Sequence, residues 1–199
     1  MIPVRTALVW GAAALVVAVP FLIAAASPFH AYRSAPYVAA SLAGVLGLGL
    51  LFVQPLLAAG WLPGARLARL RRWHRRVGAT LVTLVAIHVG GLLIASPPDA
   101  IDALLLRSPT PFSVWGVIAM WAVVLTGLLV ALRGRMRLRP ARWAAIHNAL
   151  ALVVVLGTIV HAVQIEGTMG TMSKWALCAA ALLVAVAAVA RTRLGALRR

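Results

Sequence analysis

Residues 72–88 read RWHRRVGATLVTLVAIH, and residues 142–161 read RWAAIHNALALVVVLGTIVH. Each stretch opens on arginine and tryptophan, runs on through apolar residues, and holds two histidines 14 positions apart. These are His74 and His88 in the first stretch and His147 and His161 in the second. At about 100° per residue, 14 steps turn a helix through about 1,400°, only ~40° short of four full turns. Both histidines of a pair therefore face one side of their helix, about 21 Å apart along its axis.

The surrounding composition says what kind of helix this is. The chain is 63% hydrophobic and 11% charged, with a mean hydropathy of +1.00, far from the balance of a soluble domain. A helix needs about 20 apolar residues to cross the hydrocarbon core. Six runs qualify: Thr6–Ala26, Val38–Gly60, Val77–Ala95, Val114–Leu132, Ala144–Val163 and Trp175–Ala190. They are continuous and lack the alternation of barrel strands, so they predict helices. The connections are short and leave no room for a soluble domain. The expectation is one all-α integral membrane domain over residues 1–199, a six-transmembrane-helix bundle.

A net charge of +16 invites a nucleic-acid partner, but its distribution argues against one. Six arginines lie in 66–76, five in 133–142 and four in 191–199; with Arg5 they fall on one side of a six-span arrangement. Only Arg33, Arg107 and Lys174 fall on the other side, together with all three acids, Asp99, Asp102 and Glu166. The positive-inside rule then puts both termini in the cytoplasm, and a basic fringe suits anionic lipid headgroups. Eighteen arginines against one lysine suggest GC-rich coding and hence a bacterial cell (inner) membrane. Ala24-Ala25-Ala26-Ser27 also reads as a signal cleavage site, but the apolar run before it is long for a signal, so an uncleaved first helix is expected. The single Cys178 implies no disulfide framework and no thiolate cluster.

Ionisable side chains inside a membrane are costly and usually functional. A lone buried histidine is most simply a hydrogen-bonded core residue; four in two matched pairs ask for more. Zinc or non-heme iron wants three or four donors gathered within a few ångströms, whereas here the members of a pair lie a leaflet apart. Bis-histidine heme needs one imidazole on each face of a flat ring, and two facing helices supply that at two depths. The third and fifth spans run in the same direction. His74 is therefore expected to pair with His147 near the cytoplasm, and His88 with His161 near the outer face, holding two stacked b hemes. Proton relay and non-heme metal are the competing readings. Arg72, Arg75 and Arg142 stand beside the inner site as candidates to neutralise heme propionates, beside the plainer reading of topology anchors. Trp73 and Trp143 read as interfacial belt residues, and His30 as a loop residue.

At these residues the chain resembles the ferric reductase-like transmembrane domain family. That family includes the membrane halves of ferric reductases and NADPH oxidases and the heme subunit of a bacterial methionine sulfoxide reductase system. The likeness rests on the histidine spacing, on Arg72-Trp73-His74-Arg75-Arg76-Val77-Gly78 and on Trp143 with His147-Asn148. It implies two bis-histidine b hemes between the third and fifth helices, at His74, His88, His147 and His161. Larger family members continue into flavin- and nicotinamide-binding domains, and nothing in this sequence resembles one; no dinucleotide-type glycine loop follows a strand. The expected function is transmembrane electron transfer from a separate flavoprotein or quinol to an unidentified outer acceptor. The alternatives are a quinol-linked cytochrome b subunit and a heme-binding sensor or assembly subunit without turnover.

Overall fold

A computed structural model describes residues 3–197, with side chains through Arg191. Of the basic residues counted above, the side chains of Arg193, Arg198 and Arg199 lie outside the described residues. Seven α-helices follow one another: α1 Val4–Ala25, α2 Ala35–Ala59, α3 Leu67–Ala95, α4 Pro97–Leu104, α5 Pro111–Ala131, α6 Pro140–Gln164 and α7 Thr171–Leu197. All but α4 are long and apolar enough to cross a membrane. The fold is the expected all-α integral membrane bundle.

Local chemistry sets the helix ends. Proline opens α4, α5 and α6 in the first turn, where its fixed φ suits a helix and its missing N–H is not needed. Gly60 closes α2 at φ 71°. There Gly60 N–H donates to Leu57 O, and Trp61 N–H to Leu56 O. This paired closure needs a left-handed residue, which glycine adopts without strain. Lys174, 6% exposed, closes α6: its Nζ donates to Ile165 O at 2.6 Å. The charge thereby meets the negative end of that helix dipole.

Two antiparallel pairs organise the bundle. α3 lies along α2 and α6 along α5, α7 packs on α2 and α6, and α1 rests on α2 and α7. Both tight pairs close through glycine. A Cβ at Gly91 of α3 would meet Pro36 O at 2.8 Å, and one at Gly157 of α6 would meet Trp115 O at 3.2 Å. Small residues allow such approach where lipid offers no hydrophobic drive. At mid-depth, Leu51 of α2, Ala122 and Val123 of α5, Val154 and Val155 of α6 and Ala185 of α7 form an apolar cluster. Leu81 and Val85 of α3 pack against it. Leu81 lies seven residues from both His74 and His88, and Val154 seven from both His147 and His161. An apolar layer therefore separates the two histidine levels.

Candidate functional site

The structure brings all four histidines together, in two pairs across the space between α3 and α6. His74 faces His147 with ring centroids 6.3 Å apart and planes at 74°. His88 faces His161 at the same 6.3 Å, with planes at 84°. α3 and α6 run in the same direction, so the pairs form by depth. Among the described residues no group of three or more His, Cys, Asp or Glu gathers to hold a metal. Each level thus offers two imidazoles and no third donor of these kinds among the described residues.

The second layer aims the rings. His88 Nδ1 lies 2.8 Å from Ala40 O, His161 Nδ1 2.8 Å from Phe112 O, and His74 Nδ1 3.2 Å from Gln54 O. A carbonyl only accepts, so at His88 and His161 Nδ1 is assigned the proton and Nε2 keeps the lone pair a metal needs. Why a helix carbonyl is free for this second bond depends on the residue one turn further on. Helical side chains lean back over the preceding turn, so residue i+4 covers the carbonyl of residue i. Four residues beyond Ala40 and Phe112 stand Gly44 and Gly116. A Cβ at Gly44 would lie 3.0 Å from His88 Nδ1, and one at Gly116 2.7 Å from His161 Nδ1. Glycine bares each carbonyl and lets the ring in.

Residues 43–158, more than half of the chain, match the family described as ferric reductase like transmembrane component. The chain belongs to that family. The matched stretch holds His74, His88 and His147 and ends three residues before His161. No curated protein and no solved structure matches the chain. Membership points to electron transfer across the membrane, and ferric reductase-like domains generally bind heme. The residues present fit that group: two imidazoles at each of two depths, three of the four rings hydrogen-bonded to a backbone carbonyl, between two helices that hardly touch each other.

Arg72, Arg75 and Arg142 lie exposed at the basic end, flanking the His74 level on α3 and opening α6. Two residues outside the expected site set have defined seats beside it. The Gln54 amide, turned so that its oxygen accepts from Gly78 N–H at 2.7 Å, brings its nitrogen to His74 O at 3.2 Å and also onto His74 Nδ1. Trp143, read from sequence as a belt residue, stacks on His147 with centroids 5.0 Å apart and planes at 8°. Arg133 in turn lies over the Trp143 ring at 4.3 Å. The signal for Trp143 was its position four residues before His147, one helical turn away on the same face. Nothing in the sequence marks Arg133 apart from its neighbouring arginines. His30 sits apart from this site, in a single 3-10 turn, Pro28–His30, at the acidic end.

Proposed function

We propose that this ferric reductase-like component carries electrons across a bacterial inner membrane through two b hemes. His74 and His147 would hold one, and His88 and His161 the other. The observation that carries the reading is the pair of facing imidazoles at 6.3 Å, repeated at two depths. When bound, heme supplies reversible one-electron chemistry at its iron. The chain's own residues do the rest. The Ala40, Phe112 and Gln54 carbonyls hold rings in orientation. The layer around Leu51, Leu81 and Val154 puts apolar side chains between the two levels. Arg72, Arg75 and Arg142 would offset propionate charge at the basic end.

In this reading residues 1–199 form a single domain, and the basic end faces the cytoplasm. Electrons enter at the His74–His147 level and leave for an acceptor on the outer side. The donor is a separate flavoprotein, drawn to the arginine fringe, or a membrane quinol. A quinol would approach from the lipid-facing side of the bundle. An apolar groove of about 460 Å³ opens between α1 and α2, lined by Trp10, Ala13, Val17, Phe21, Leu46 and Val53 among others. Trp10 meets Trp73 edge-on at 5.7 Å, and Trp73 adjoins His74.

The test is a count and a pairing. Purified protein should give two b hemes per chain by pyridine hemochrome. His74→Ala and His147→Ala should remove one and the same centre, and His88→Ala and His161→Ala the other. Protein that still holds no heme after reconstitution with excess hemin refutes the reading. Reduction by quinol or a flavoprotein, followed by reoxidation from the outer side, separates a conduit from a sensor.

A further inference from the structure

Three histidines are held by a carbonyl, and the fourth is not. His147 Nδ1 is buried and has no hydrogen-bond partner. The geometry of α5 says why. α2 offers carbonyls to its two histidines at Ala40 and Gln54, 14 residues apart, matching the spacing of His88 and His74. On α5, Phe112 serves His161, and the equivalent position for His147 is Thr126, again 14 residues on. Four residues beyond these acceptors stand Gly44, Ala58, Gly116 and Val130 respectively. Where that residue is glycine the bond is 2.8 Å, and where it is alanine 3.2 Å. Where it is valine the ring has no bond at all. A branched side chain at that position would lean over the Thr126 carbonyl, in the place the other rings use.

What holds His147 instead is a stack. Trp143 lies parallel to the ring. Its own indole is fixed by Nε1 donating to Leu129 O at 3.4 Å and by Arg133 over its face. We propose that Trp143 is the positioning residue of His147, taking over the task that a backbone hydrogen bond performs at the other three histidines. The basic-end site thereby becomes electronically distinct. An Nδ1–H that donates makes its imidazole a stronger electron donor to a metal, which favours the oxidised state. Without that bond, and with an arginine stacked behind it, His147 favours the reduced state at its own level.

This inference rests on the histidines holding heme, and the experiment separates the two. In wild-type protein carrying two hemes, the centre lost in His147→Ala is the one to follow, by EPR and by potentiometric titration. Trp143→Leu should broaden the EPR signal of that centre alone, and Trp143→Phe, which keeps a flat ring, should restore it. Val130→Gly should bare the Thr126 carbonyl and move that centre to a more negative potential, leaving the other where it was. Should Trp143→Leu not assemble, Val130→Gly and Trp143→Phe still decide. Trp143→Leu with both signals unchanged, or both altered alike, overturns the positioning role. Val130→Gly without a shift overturns the account of the missing bond. Wild-type protein holding no heme overturns the ligand reading beneath both.

Discussion

Glycine is the residue on which the imidazoles turn. Three glycines near the histidines make a graded experiment, because the space above each differs. A Cβ at Gly116 would lie 2.7 Å from His161 Nδ1, one at Gly44 3.0 Å from His88 Nδ1, and one at Gly90 would meet nothing within 4 Å. Gly116→Ala should push the ring from Phe112 O and weaken heme retention at that level by about 10–100-fold, the usual effect of losing an outer-shell partner. Gly44→Ala should act in the same direction and less strongly. Gly90→Ala should leave retention unchanged and stabilise α3 by up to about 1 kcal/mol, since alanine is the better helix former. Hemin titration of the three variants gives the order directly. Equal losses in all three would mean that the glycines serve helix packing and not the rings.

At the scale of the element, the helices extend past the apolar runs that announce them. α3 begins at Leu67, ten residues before the apolar run starts at Val77, because its arginines are good helix formers and need not enter the hydrocarbon. His74 thus sits within the helix, one turn before its apolar part. The long acidic-end connection contains the helix α4. Gly91 tests how a helix pair transmits to the site. Its Cβ would meet Pro36 O at 2.8 Å and Ala40 Cβ at 2.9 Å, and backbone cannot yield as a flexible side chain does. Gly91→Ala should cost about 1–3 kcal/mol, as overpacking does. Because Ala40 is also the acceptor for His88, the loss should include the acidic-end centre before the basic-end one. Thermal unfolding followed at the heme absorbance of each centre would show it. Simultaneous loss of both would mean that α2 and α3 move as one body.

At the scale of the molecule, the governing feature is a charge distribution that is one-sided. With basic residues concentrated at one end of the bundle, an acidic flavoprotein should be drawn to that face. Its reduction of vesicle-embedded protein should slow as salt rises, since exposed charges are screened within about 8–10 Å at 0.1–0.15 M ionic strength. Replacing Arg66, Arg69 and Arg71 with glutamine should flatten that dependence, whereas a quinol donor reaching the groove beside Trp10 should be indifferent to both. Stopped-flow traces with each donor distinguish the routes. Salt-independent flavoprotein reduction leaves the arginines to topology alone.

Six helices, the one-sided charge and the registry of four histidines were legible because each follows from spacing along a single chain. Hydrocarbon thickness sets helix length, and 14 residues bring a side chain back to nearly the same face after four turns. The Gly44 and Gly116 cradles were not legible. Glycine four residues after any residue bares a carbonyl, and only the antiparallel pairing of α2 with α3 and α5 with α6 decides which carbonyl meets which ring. Nor could Arg133 be told from its neighbours, since its role exists only through contact with Trp143 across a turn. Spacing belongs to one helix and is written in its residues. The partner of a buried Nδ1–H lies on another helix, and packing alone selects it.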